Sequence, residues 1–211
     1  RNLLERAAAH DFIIIEDDYE AETNYVSEPT PALKSLDSGE RVVYVGSLSK
    51  TLFPGLRLGY MVASAELISE ARALRLLMLR HPPNNNQRTT ALFLSLGHHD
   101  ALIHRLHRAY RARWKEMGRA LHRHLPDSTR PPTFGGTSFW VRGPDALDAD
   151  ILAAEARRQG IIVEPGSIHF AAGDGPRNYF RLGLSSIALE RIEPGIRLLA
   201  SLIGRHCRGR A

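Results

Sequence analysis

Short apolar runs and helical stripes alternate along the chain, and their spacing divides it into elements. Residues 2–9 (NLLERAAA) have helical spacing, and the apolar run Phe12–Ile15 behind them reads as a buried strand. Val42–Val45, rich in β-branched residues, predicts a second buried strand, and residues 58–63 (LGYMVA) predict a third. Between them, residues 24–40 are rich in Pro, Ser and Thr without clear periodicity, as in a surface connection. Ser64 is placed to cap an amphipathic helix from about Ala65 to Arg80, which Pro82 and Pro83 end. The run Asn84–Asn86 could cap the helix that follows or line a site, and capping is favoured. The longest helical stripe runs from about Asp100, its expected N-cap, to Leu125, with Ile103, Leu106, Tyr110, Trp114, Met117 and Leu121 at three- and four-residue steps. A linker-like stretch, Pro126–Pro132, comes next. Beyond it the order is strand Thr137–Val141, helix about 147–158, strand Ile161–Glu164, strand Tyr179–Leu184 and helix about 188–203. Such alternation predicts an α/β chain with a compact α+β second lobe.

Composition narrows the function classes. The net charge is +5, but 23 acidic residues are interspersed with 28 basic ones, and no basic block occurs before residues 205–210. That balance describes a solvated, arginine-rich surface better than a nucleic-acid footprint. The arginines 105, 108, 111, 113 and 119 along the long helix could form a DNA-binding face, yet no helix-turn-helix pattern surrounds them, which favours a solvated face. Cys207 is the single cysteine, so no internal disulfide framework or multi-cysteine zinc site is possible. The histidines around Asp100 lack zinc-ligand spacing, and no metal is expected. No signal peptide or apolar run of membrane-spanning length is present, so a cytoplasmic protein without membrane partners is expected. The chain opens at Arg1, directly in a helix, as if cut from something longer.

Candidate chemistry centres on Lys50. Only Lys34, Lys50 and Lys115 among the basic residues are lysines. Arginine is never effectively deprotonated, whereas a lysine in a dry pocket can act as an amine nucleophile. The segment SLSKTLFPGLRLGY surrounds Lys50 with Ser47, Ser49 and Thr51 and places Arg57 seven residues later. Lys50 is therefore a candidate Schiff-base lysine, with Ser47, Ser49 and Arg57 as candidate phosphate ligands; a solvated lysine at a strand end is the alternative. The first strand ends in Glu16-Asp17-Asp18-Tyr19-Glu20, where α/β sheets present ligand groups, although a polar capping loop would read the same. In the last strand Phe180, Leu182 and Leu184 share one face, and Tyr179, Arg181 and Gly183 share the other. Arg181 faces either solvent or an anion, and the neighbouring glycine leaves room for a ligand.

These segments together resemble the C-terminal half of a fold-type-I, pyridoxal-phosphate-dependent aminotransferase, across essentially the whole chain. The resemblance implies part of an aspartate aminotransferase-like large domain over residues 1–125 and a C-terminal α+β small domain over residues 126–211. It implies pyridoxal 5′-phosphate as cofactor, with Lys50 as the Schiff-base lysine and Ser47, Ser49 and Arg57 on the phosphate. It further implies Asp17 on the pyridinium nitrogen, Tyr19 on the ring oxygen and Arg181 on the substrate carboxylate. Sequence alternation alone leaves open which of Asp17 and Asp18 faces the ring; the family pattern favours Asp17.

The first motif, EDDYEAETNY, lacks the proline that many aminotransferases place between the aspartate and the tyrosine. In that it is similar to MocR-type GntR-family transcription regulators, which join a winged helix-turn-helix domain to an aminotransferase-like domain. The implied function is an effector domain of such a regulator, binding an amino acid or amine, working as a homodimer, and touching DNA only through an absent N-terminal domain. The alternative is a fragment of a genuine aminotransferase moving an amino group between an amino acid and a 2-oxo acid. Full transamination does not follow from either. With the other half of the large domain outside these residues, an exposed sheet edge and a half core are expected.

Overall fold

A computed structural model describes residues 1–18, 20–24, 30–128, 135–171 and 175–208. The chain divides into two compact units, Arg1–Glu22 with Glu28–Leu106, and Thr23–Ser27 with His107–Ala211.

In the first unit, α1 (Asn2–Ala9) precedes a three-stranded sheet of β1 (Ile14–Asp18), β2 (Val42–Ser47) and β3 (Gly59–Val62), in the order β1-β2-β3. β1 and β2 are parallel, with Asp17 opposite Val45 and Asp18 opposite Gly46. β2 and β3 are antiparallel, with Val45 opposite Met61 and Ser47 opposite Gly59. α2 (Ala65–Leu79) begins at Ser64, whose hydroxyl accepts the Leu67 N–H, as the sequence predicts. α3 (Asn84–Ser95) starts directly after Pro83, because a helix's first turn has no use for the N–H that proline lacks. The asparagines therefore occupy that first turn instead of capping it. Gly97, at a φ of 73°, makes the break before α4 (His98–His124). That break puts Asp100 inside the first turn, where its charge suits the helix dipole, and not at the expected N-cap.

The three runs read as buried strands in this unit behave differently. Val42 is fully enclosed, but Ile13, Ile15, Tyr60, Met61 and Val62 are exposed, and the run expected at Phe12–Ile15 becomes a strand only from Ile14. Among the described residues Ala7, Val42 and Leu56 are the buried apolar side chains of this unit. α2 buries none of its residues, and Leu77 is 83% exposed. Burying a leucine contributes roughly 1.5–3 kcal/mol, so this apolar surface contributes little to stability while it stays uncovered. The half core expected from the sequence is what the first unit presents.

The second unit encloses its own core. Its sheet has the order β4-β6-β5, all antiparallel, from β4 (Ser138–Arg142), β5 (Glu164–Pro165) and β6 (Tyr179–Gly183). The core side carries Phe139, Val141, Phe180 and Leu182, packed with α5 (Ala149–Arg158), α6 (Leu189–Arg208) and the later turns of α4 around Met117 and Leu121. Asp148 caps α5 by accepting the Asp150 and Ile151 N–H groups. The strand expected at Ile161–Glu164 is observed only at Glu164–Pro165, where Pro165, which cannot donate to the ladder, ends it, and Ile162 is exposed. α6 extends beyond the expected end at residue 203 to Arg208.

Asp37 ties the connection to the central strand of the first sheet. Its nearly enclosed carboxylate accepts the N–H groups of Val42 (2.8 Å), Arg41 (3.1 Å) and Gly39 (3.2 Å) and the Lys34 ammonium (3.1 Å). Burial pushes the carboxyl up, but the backbone donors and Lys34 outweigh it and hold Asp37 below the ordinary aspartate value. Asp37→Ala should cost about 1–3 kcal/mol in denaturant unfolding, by leaving several donors unpaired. Because the folded value is depressed, this contribution is complete above about pH 4 and fades as pH falls through the lowered value. Wild type and variant should thus converge in stability on acidification.

Candidate functional site

The pairing of β1 with β2 and β3 sorts the acidic run by face. Neighbours in register point to the same side of a sheet, so Asp17, Val45, Met61 and Ser47 share one face, and Asp18, Gly46 and Tyr60 share the other. On the second face Glu16 accepts the Leu33 and Lys34 N–H groups at 2.6 and 2.9 Å, capping the 3-10 helix Leu33–Leu36. Asp18 accepts the Tyr44 hydroxyl at 3.0 Å. Burial, with the hydrogen bonds to Tyr60 and Asp18, pushes the Tyr44 phenol well above its usual range, so it stays a donor. Glu16 and Asp18 thus have structural partners, while Asp17 stands exposed on the face shared with Ser47. Tyr19 lies outside the described residues.

Lys50 sits in the turn after β2. Leu48 accepts the Leu52 N–H at 2.9 Å and donates its own N–H to Leu58 at 3.1 Å, closing the turn against the approach to β3. Gly59 is required there, because a Cβ on it would lie 2.9 Å from the Gly46 carbonyl oxygen. The Ser47 hydroxyl accepts the Ser49 N–H at 3.2 Å and keeps its own hydrogen to donate. The Lys50 ammonium, half-exposed, lies 3.7 Å from the Glu20 carboxylate. Glu20 is a neighbour that sequence reading did not single out, although it belongs to the same acidic run.

Arg57 takes a left-handed conformation, φ 51° and ψ 39°, at the end of the 3-10 helix Pro54–Leu56. That conformation costs a non-glycine residue roughly 1–2 kcal/mol and needs support from its surroundings. Asn86 supplies some: its side-chain amide donates to the carbonyl of Leu56 at 3.1 Å, and Leu56 itself is buried. The asparagine run reads locally as a cap or as lining of a site, and nothing local reveals a bond to a residue thirty positions earlier.

Arg181 belongs to the second unit and lies on the face of β6 opposite the core, as alternation allows. It stands opposite Trp140 of β4 and Glu164 of β5. Its Nε donates to the Ser138 hydroxyl at 3.1 Å and its Nη1 to Glu164 at 2.9 Å. The other Glu164 oxygen lies 2.8 Å from His169 Nε2. The hydrogen bond from His169, working against burial and joined by the Arg181 charge, holds the Glu164 carboxyl below its ordinary value. Trp140 stacks on Tyr179 at 5.7 Å and meets the His169 ring edge-on at 5.4 Å. Space beside Gly183 is open. Glu164 is a participant without a local signal, since only strand pairing sets it against Arg181. Among the described residues there is no group of three or more metal-ligating side chains, and no helix is long and apolar enough to cross a membrane.

Known proteins resemble the chain along nearly all of its length. It is 50% identical over 198 residues to the HTH-type transcriptional regulator TauR of Rhodobacter capsulatus, covering 94% of this chain and 41% of that protein. It is 31% identical over 206 residues to aromatic-amino-acid aminotransferase 1 of Thermococcus litoralis, covering 96% and 49%. The crystal structure of LysN, the α-aminoadipate aminotransferase of Thermus thermophilus complexed with N-(5′-phosphopyridoxyl)-L-leucine, superposes with a TM-score of 0.87 at 30% identity, over 98% of this chain and 54% of that one. The chain thus spans about two fifths to one half of the length of these relatives. Residues 1–197 match the family model for aminotransferase class I and II. This match makes the chain a member of the class I and II aminotransferase family, with the aspartate aminotransferase-like fold.

Proposed function

We propose that this chain is the pyridoxal-phosphate-binding, aminotransferase-like effector domain of a cytoplasmic, homodimeric MocR/GntR-type transcription regulator. The observation that carries this reading is the 50% identity to a helix-turn-helix regulator over 198 residues, against 31% to an aminotransferase. DNA contact is assigned to a domain outside these residues.

The donor set of the first unit suits the cofactor. An amine, two hydroxyls and a guanidinium cluster in sequence around one turn, and a carboxylate without a structural partner among the described residues shares the Ser47 face. Pyridoxal phosphate supplies an aldehyde that condenses with amines and a ring that withdraws electrons from the carbon beside the nitrogen. Lys50 would supply the amine that meets the aldehyde and, as a free amine, would hold or return the proton at the ligand's Cα. Ser47, Ser49 and Arg57 bind the phosphate, the guanidinium through charge-assisted hydrogen bonds. Asp17 holds a proton on the ring nitrogen, and Tyr19 donates to the ring oxygen. Arg181 grips the carboxylate of an amino acid, for which its planar fork is shaped. Asn86 positions Arg57 through Leu56.

A second reading, a catalytic domain of an amino-acid aminotransferase, is favoured by the 31% identity to the Thermococcus litoralis enzyme. The two readings share these residues and part on outcome. In the whole protein, a regulator should bind its promoter DNA in a way that an amino acid or amine changes, without net amino transfer to added 2-oxo acids. Steady transfer without DNA binding would instead select the enzyme.

Three substitutions test the residue roles. Lys50→Ala should abolish the visible absorbance that pyridoxal phosphate acquires on the protein, and an unchanged spectrum would remove Lys50 from its role. Arg181→Ala should weaken amino-acid binding about 10- to 100-fold while cofactor loading stays near wild type, measured by equilibrium titration. Asn86→Ala should loosen cofactor retention about tenfold and speed amide hydrogen exchange across residues 47–59.

A further inference from the structure

Arg181 already holds a carboxylate, and it is the protein's own. The antiparallel pairing of β5 with β6 sets Glu164 directly opposite Arg181, and side chains so placed start about 4.5–5.5 Å apart at Cβ. The contact at 2.9 Å is therefore built into the strand register. The acid is held from its other side as well. His169, at the end of the 3-10 helix Gly166–His169, engages the second oxygen, and the edge-on packing of Trp140 fixes the His169 ring.

The arginine's geometry makes this pairing consequential. A carboxylate can grip a guanidinium in two-point fashion along the side edge, Nε with Nη2, or along the end edge, Nη1 with Nη2. Ser138 accepts from Nε and Glu164 from Nη1, so each edge shares a nitrogen with an acceptor in place. An arriving acid must also approach a second negative charge that His169 and Arg181 keep ionised. Both side chains are about one-third exposed, so a ligand can reach them.

We propose that Glu164 is a specificity-determining residue that acts as an internal stand-in for the ligand carboxylate on Arg181. It lowers the affinity of acid-bearing amines and sets the concentration at which they are sensed or turned over. The inference rests on the reading of Arg181 as the carboxylate clamp. An amine without an acid group has no need of Arg181, so Glu164 is neutral toward it. The residue therefore narrows the preference for amino acids over their decarboxylated counterparts.

The test uses the whole protein loaded with pyridoxal phosphate, the common L-amino acids, and the amine that each yields on decarboxylation. Equilibrium affinity is read from the cofactor spectrum and, independently, by calorimetry with 3-phenylpropanoate, an acid that lacks the amine. Glu164→Gln should tighten amino acids and 3-phenylpropanoate about tenfold and leave the amines within about twofold. Glu164→Asp, whose shorter side chain draws the charge back from Arg181, should fall between wild type and Glu164→Gln. Unchanged or weaker acid binding in Glu164→Gln, an equal gain for amines and acids, or no response to any amino acid would overturn the proposal. Arg181→Ala separates the layers. If it leaves acid affinity unchanged, the clamp reading itself fails; if it weakens acids while Glu164→Gln changes nothing, the inference about Glu164 alone fails.

Discussion

The two-sided pairing of β2 is the constraint on which the first unit depends. Hydrogen bonding to β1 on one edge and β3 on the other fixes the register of all three strands. Once that register is set, Asp17 and Ser47 must share a face, Asp18 must meet Tyr44, and Lys50 must fall in the turn that closes on Leu58. A slip of one residue would exchange the faces and send Asp17 to the side where Glu16 and Asp18 are engaged. The side-chain ties around this frame reinforce it. Asp37 anchors the entry to β2, Glu16 caps the connection before it, and Asn86 supports the left-handed turn at Arg57.

The second unit follows the same logic with a different balance of forces. One face of its sheet is closed by α5, α6 and the later turns of α4, which provides a complete apolar core. That leaves the opposite face to carry polar and aromatic groups, and cross-strand pairing collects Ser138, Trp140, Glu164 and Arg181 on it. Arg181 on this face gives two of its donors, Nε and Nη1, to the neighbouring acceptors Ser138 and Glu164. The contrast between the units is energetic. The second buries its apolar residues, whereas the first displays Ile15, Leu77 and Met78 to solvent. A surface of that kind lowers the free energy of any layer that covers it.

Much of the fold was legible in the sequence because local chemistry specified it. Ser64 marks the start of α2, the stripe from Ile103 to Leu121 marks α4, and alternation along Tyr179–Leu184 separates the buried from the open face. The readings that failed share a cause. Phe12–Ile15 and residues 58–63 were expected to be buried because apolar runs signal a preference for burial, and a preference does not supply the covering layer. Asn84–Asn86 and Asp100 were expected as caps because those residue types cap well, but Pro83 and Gly97 set the helix starts.

Residue types and spacing by themselves marked the lysine turn, the acidic strand end and the late-strand arginine, and the resemblance of those motifs pointed to the family. Each is a local property, written within a segment of a few residues. Tertiary structure alone decided which carboxylate is left uncommitted, which asparagine supports Arg57, and which glutamate meets Arg181. Those choices depend on pairings between residues 17 to 30 positions apart, where strand register and side-chain reach, and not sequence neighbourhood, fix who meets whom.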